Sequence, residues 1–259
     1  MREKIKHMLK SELEKYEQVL AFFEGGSASF GRADEWSDLD LQMVVRDDFV
    51  ERAIVILEQT LQKIAPIEDK FVLPAPTWHG QWQGFYKLEG VSPYLLIDAL
   101  IMKESSTTYF SEPELHGRPV IFFDRTGKIG NEQTNSDERE TAISKRLQRA
   151  DNLCTMMHLL ADKEIRRNRI TDAFELYYNL YLRTYVELLR IKYDRARWFF
   201  GPRYLRNILP EDVYNSISGF FYVSDTDDLL RKKDEVICRS KALLQELQQD
   251  TDLKDAQNA

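Results

Sequence analysis

Every extended apolar segment of this chain falls before residue 125, and beyond residue 136 the apolar residues recur at helical intervals almost to the end. That division restricts the fold more than any other feature. A chain that lays down helix, strand, helix and strands, and then helices alone, builds an α+β domain followed by an all-α bundle. Ile5, Met8, Leu9, Leu13, Tyr16, Val19 and Leu20 recur every three or four residues, so the spacing predicts an amphipathic helix over 2–20. A short apolar segment from Val19 to Phe23 leads into Gly25-Gly26. Asp38 to Val45 alternates and then turns apolar, as a half-buried strand does, and 49–65 returns to helical spacing before Pro66. Trp78–Leu88 and Tyr94–Met102 flank turn residues and predict a hairpin, and Pro119–Asp124 predicts a last short strand.

The stretch 127–135 is polar, and Asn135 with Glu138 three residues on has the pattern of a helix N-cap. A domain boundary is expected there, giving domains at 1–130 and 137–250. Helices are expected at about 137–166, 171–194, 210–220 and 225–248 by the same periodicity.

Charge narrows the function. The formal net charge is -7, and residues 1–136 hold 15 Lys+Arg against 22 Asp+Glu while 137–259 are balanced. A whole-protein grip on nucleic acid calls for the opposite sign, so nucleic acid is not the expected partner. No apolar run is long enough to span a bilayer, the N-terminus lacks an apolar signal core, and two helix-borne cysteines make no disulfide framework. A cytoplasmic protein without a membrane partner is expected. A homodimer is compatible with the sequence.

The chemistry concentrates in one segment. Asp38 and Asp40 lie two apart on a strand, so both carboxylates leave from one face. Like charges so placed need a cation between them, and hard oxygen ligands suit Mg²⁺. Upstream, Gly26-Ser27 forms a turn where backbone N–H groups can approach a phosphate, with the Ser27 hydroxyl as a further donor. Asp98 stands in the apolar strand Tyr94–Met102, where a charge is costly unless it is paired.

Gly26-Ser27, an eleven-position step to Asp38, and Ser37-Asp38-Leu39-Asp40-Leu41 resemble the signature of the polymerase-β-like nucleotidyltransferase superfamily. The wording is most similar to its small-substrate branch, which includes the antibiotic adenylyltransferases and the minimal nucleotidyltransferases. The chain departs from many minimal members in carrying Ala28 after the Gly-Ser pair, with the nearest arginine at Arg32. The resemblance implies a mixed sheet flanked by helices, with the helical domain contributing to an acceptor and nucleotide cleft. It implies Asp38, Asp40 and Asp98 as ligands of two Mg²⁺ ions and as catalytic residues, with Gly26, Ser27, Arg32 and Ser37 around the nucleotide. The expected reaction moves a nucleoside monophosphate, AMP from ATP or its counterpart from another NTP, to a hydroxyl of a small acceptor. An aminoglycoside- or lincosamide-like antibiotic fits that description. Nucleotidylation of protein or RNA, as in toxin–antitoxin members, and a non-catalytic nucleotide-binding module are the alternatives.

In the helical half, Tyr177, Tyr181 and Tyr185 repeat every four residues and are expected to pack in a core or interface. Arg166, Arg167, Arg169 and Arg183 belong to a basic run that is either solvated or turned toward a triphosphate. Asp172 and Glu175 are alternatives to Asp98 as general base. His79, His116 and His158 lack metal spacing and are expected to be structural.

Overall fold

The strand Leu39–Val45 alternates at its start, where one face carries Asp40 and Gln42, and turns apolar at its end, where both faces are packed; the rest of the N-terminal architecture is arranged around it. The computed structural model describes residues 1–258, with side chains described for 1–249. The chain falls into two compact units, Met1–Thr134 and Asn135–Ala259.

The first unit runs α1 (Arg2–Leu13), β1 (Val19–Glu24), a single turn α2 (Gly26–Ser29), β2 (Leu39–Val45), α3 (Val50–Gln62), β3 (Ile67–Val72), β4 (Trp82–Leu88), β5 (Ile97–Lys103), α4 (Pro113–His116) and β6 (Val120–Asp124). The strands form one six-stranded mixed sheet in the order β3-β4-β5-β2-β1-β6. β2 and β5 pair in parallel, and the other neighbours are antiparallel. Leu39, Leu41, Met43 and Val45 of β2 and Ile97, Ala99 and Ile101 of β5 point to one face. There they meet Ile5, Leu9 and Leu13 of α1 and Ala53, Ile56, Leu57 and Leu61 of α3. Each Leu, Ile, Val or Met among them, fully buried, contributes about 1.5–3 kcal/mol. The alternate residues Val44, Leu100 and Met102 join Ala21, Phe23, Tyr109 and Ile129 in a smaller cluster on the other face. That cluster covers only part of its face, and the polar residues of β2 and β5 occupy the rest.

The first helix ends at Leu13, not at 20, because Val19 and Leu20 are recruited into β1, where every residue is buried. Glu14 to Gln18 supply the turn between them. The hairpin is present as antiparallel β4 and β5, although its strands start later than expected, at Trp82 and Ile97. β3 was not expected at all. Its sequence IEDKFV is largely exposed and lies at the sheet edge, where charge blocks pairing with another chain.

The second unit is helical: α5 (Ser136–Met156), α6 (Leu160–Arg166), α7 (Ile170–Leu176), a π-helical turn (Tyr177–Leu182), α8 (Arg183–Tyr193), α9 (Glu211–Ser218) and α10 (Thr226–Asn258). The Asn135 side chain accepts from the backbone N–H groups of Asp137 and Glu138 and so caps α5. Two expected helices are divided, the first between Met156 and Leu160 and the second by the π-turn, while the last runs ten residues further than expected, to Asn258. Tyr177, Tyr181 and Tyr185 lie in the core, with the Tyr177 hydroxyl donating to the Phe220 carbonyl (2.6 Å) and Tyr181 to Met157 (2.8 Å). The stripe is packing.

The largest fully buried side chain is Arg190. Its guanidinium donates to the carbonyls of Gly201 (2.6 Å), Arg197 (3.3 Å) and Arg203, and pairs with Asp194 at 2.6 Å. One side chain thus ties the end of α8 to the irregular segment 194–203. Arg190→Ala removes the donor to these three carbonyls and leaves Asp194 with Arg197 alone among the described residues, and is expected to cost about 3–5 kcal/mol. Urea unfolding of the full chain, followed by helical circular dichroism, checks this; an unchanged midpoint would contradict it.

Candidate active site

Parallel pairing of β2 with β5 sets Asp40 directly opposite Asp98. Neighbouring strands lie about 4.8 Å apart, and paired residues share a face, so two carboxylates leave the sheet side by side. Both are half-buried. They sit on the face of Val44, Leu100 and Met102, at the end of the sheet where the apolar cluster gives out. Asp38 lies one residue before β2 and is exposed, so the strand begins later than the expected Asp38 start. Its backbone is fixed nonetheless: Arg2 of α1 donates to the Asp38 carbonyl (3.0 Å) and to that of Ser37.

The Asp98 carboxyl is pushed above the ordinary carboxylate range, first by burial and further by the negative charge of Asp38, while the Gln83 amide and His79 oppose the shift. Among the described residues, no group of three or more His, Cys, Asp or Glu side chains converges as a ready-made metal cage. Mg²⁺ does not require one, because it keeps several waters and is usually held by one or two carboxylates together with substrate phosphates. The donor set of Asp38, Asp40 and Asp98, all oxygen, fits that mode of binding.

The glycine pair is placed by the same carboxylate. Gly26 has φ +54°, and a β-carbon there would lie 1.9 Å from Asp40 Oδ2. A β-carbon on Gly25 would lie 2.5 Å from Gln42 Nε2. Only glycine lets the chain cross so closely over β2, and the Gly25 N–H donates to the Asp40 carbonyl at 2.9 Å. Immediately after, the Ser27 Oγ is buried without a hydrogen-bond partner among the described residues. A buried hydroxyl left without a partner costs about 1–3 kcal/mol, and this one belongs to the residue that follows the glycine crossing over Asp40.

Two other expected site residues make local contacts. The Ser37 hydroxyl donates to Asp34 Oδ1 (2.7 Å) and accepts from the Asp34 N–H (3.0 Å), closing a local turn. Arg32 is exposed, with its guanidinium 5.1 Å from the Phe30 ring and its N–H bonded to the Ser27 carbonyl. In the second unit, Asp172, Glu175, Arg166 and Arg183 are exposed, and Arg167 and Arg169 pair with Glu164.

Sequence reasoning missed Gln83 and read His79 as structural. Gln83 Nε2 donates to both oxygens of Asp98, at 2.7 and 3.0 Å, and Gln83 Oε1 lies 3.1 Å from His79 Nε2. The available signal was a polar residue inside the apolar strand that pairs with the strand of Asp98. Without the register, nothing in the sequence selects Gln83 over Gln81.

Comparison with known protein families and with curated protein sequences found no match. Among solved structures, the chain is similar to spectinomycin adenyltransferase AAD(9) from Enterococcus faecialis, solved with ATP and spectinomycin, at a TM-score of 0.32 and 14% identity. The match covers 92% of this chain and 97% of that one. A likeness at that level carries no argument, so the function rests on the residues themselves. No helix among the described residues is long and apolar enough to cross a membrane.

Because burial raises the Asp98 carboxyl, the folded state prefers it neutral. The charge therefore costs stability above the folded-state pKa, and the cost fades as pH falls through that value toward the unfolded one. Asp98→Asn, measured in chelator, is expected to raise the thermal midpoint at neutral pH and to lose that gain below the ordinary carboxylate range. A variant less stable at neutral pH would contradict the assignment.

Proposed function

We propose that this chain is a Mg²⁺-dependent nucleotidyltransferase that moves a nucleoside monophosphate, AMP from ATP, to a hydroxyl of a small acceptor. The observation that carries the reading is the placement of Asp40 opposite Asp98 on adjacent parallel strands. The buried, unpartnered Ser27 Oγ and the glycine crossing over Asp40 support it, because they put an unsatisfied hydroxyl on a turn packed closely over β2. The Gly26-Ser27 and Ser37–Leu41 wording of the sequence supports it independently.

In this reading Asp38 and Asp40 would hold one or two Mg²⁺ ions, and Asp98 would complete the set or take the proton of the acceptor hydroxyl. Bound metal supplies charge stabilisation at the entering and leaving oxygens of an in-line displacement at phosphorus. Ser27 donates its hydroxyl to a phosphate oxygen. Gly26 keeps the Asp40 carboxylate where it stands, since any side chain there would displace it. Asp98 is suited to accept a proton because burial raises its basicity. The acceptor is a cationic, hydroxylated small molecule of the aminoglycoside kind, in keeping with the acid excess of 22 against 15 in residues 1–136.

Pyrophosphate release with MgATP and a panel of hydroxylated acceptors tests the reading. Asp38→Asn, Asp40→Asn and Gly26→Ala are each expected to lower turnover by more than about 100-fold, beyond the 10–100-fold typical of a residue one shell removed. Full turnover in Asp40→Asn would overturn the proposal. Label from ATP appearing on protein or RNA, and on no small molecule, would overturn the acceptor class.

A further inference from the structure

Asp98 is a half-buried carboxylate in an apolar strand, yet its orientation is fixed by a chain of hydrogen bonds that begins outside the sheet. The turn before β4 is closed by the Gly80 N–H donating to the Thr77 carbonyl (3.0 Å) and the Thr77 hydroxyl donating to the Gln81 carbonyl (2.6 Å). Within it the Gln81 N–H donates to His79 Nδ1 at 3.1 Å. In the neutral imidazole one nitrogen donates and the other accepts, so an accepting Nδ1 leaves the proton on Nε2. Nε2 faces Gln83 Oε1 at 3.1 Å, which directs the amide nitrogen of Gln83 to the two oxygens of Asp98 at 2.7 and 3.0 Å. Trp78 and Phe110 pack edge-on to the imidazole, with ring centroids at 4.9 and 6.1 Å. The Gln81 side chain accepts from the Lys103 N–H (3.2 Å), which moors the turn to the end of β5.

We propose that His79 and Gln83 are positioning residues for Asp98: the Nε2–H tautomer of His79 fixes the direction of the Gln83 amide, and the amide fixes the carboxylate. The chain of cause is polar matching. A reversed amide would set its oxygen against the Asp98 carboxylate and its NH₂ against the His79 Nε2–H, losing both hydrogen bonds and adding two repulsions. A histidine in the Nδ1–H form would in turn leave the Gln81 N–H facing a donor. With the chain intact, the amide spans both carboxylate oxygens from the β4 side and leaves their remaining lone pairs directed away from it. Asp98 is thereby presented in one rotamer beside Asp40 before any ligand arrives, and reorganisation is avoided at the moment of reaction. The role assigned to Asp98 rests on the nucleotidyltransferase reading; the hydrogen-bond chain does not.

The test has two arms on the full chain. In the first, long-range ¹H–¹⁵N spectra of histidine-labelled protein, assigned by loss of one signal in His79→Gln, read the tautomer without any turnover. The Nε2–H form is expected in the native protein and is expected to persist in Gln83→Leu, because the Gln81 N–H that sets it is unchanged. An Nδ1–H form in the native protein overturns the relay. The second arm is a kinetic double-mutant cycle on nucleotidyl transfer. His79→Ala and Gln83→Leu are each expected to lower kcat by about 10–100-fold with the nucleotide KM within about threefold of native. The double variant is expected to be no slower than Gln83→Leu alone, because His79 acts only through Gln83. His79→Gln, which keeps a donor at the position of Nε2, is expected to restore most of the rate. Multiplying effects, or a His79→Gln as slow as His79→Ala, overturn the relay. Native protein without transfer activity but with the expected spectra removes the transferase reading and leaves the hydrogen-bond chain standing.

Discussion

The parallel pairing of β2 and β5 is the constraint on which the N-terminal unit depends. It aligns Leu39, Leu41 and Met43 with Ile97, Ala99 and Ile101 on the helix-covered face. The same register brings Asp40 and Asp98 together on the opposite face. A slip by one residue would turn the apolar set outward and bury the carboxylates, so the register that builds the core also builds the site. The hydrophobic burial of one face holds two carboxylates on adjacent strands of the other.

The neighbouring chain is fitted closely around these strands. The chain crosses Asp40 as glycine, an amide from the adjacent strand reaches Asp98, and Arg2 holds the carbonyls of Ser37 and Asp38. What these contacts leave unsatisfied is equally informative: the buried Ser27 hydroxyl that follows the glycine crossing. In the proposed reading a phosphate would accept from that hydroxyl. The helical unit spends its buried polar groups differently. Arg190 with Asp194, and Lys233 with Asp162 and Asp234, are paired within that unit, and they hold irregular segments and helices together.

Much of this was legible in the sequence, for definite reasons. The carboxylates were found because alternation puts i and i+2 on one face and because a charge inside Tyr94–Met102 demands a partner. The Asn135 cap was found because its chemistry is local. β3 escaped because its side chains are mostly exposed, so no burial pattern marks them. The first helix was drawn too long because residues 13–20 satisfy a helical spacing that β1 overrides. The π-turn was invisible for a related reason. A repeat of four drifts by about 40° per step on an ideal α-helix, and the wider turn at Tyr177–Leu182 absorbs that drift so that all three tyrosines stay buried. The Gln83 contact depends on which residue of β4 lies diagonal to Asp98, a register that periodicity does not contain.

The central claim is that the face of Asp40 and Asp98 receives a metal-bound nucleotide. Paramagnetic broadening by Mn²⁺, with a non-hydrolysable ATP analogue, locates such a complex directly in spectra of the full chain. The account predicts that the backbone amides of Gly26, Ser27, Asp40 and Asp98 and the side-chain amide of Gln83 broaden together, and do so more strongly with the nucleotide than with Mn²⁺ alone. Broadening centred on other residues, with these five signals unchanged, would contradict it.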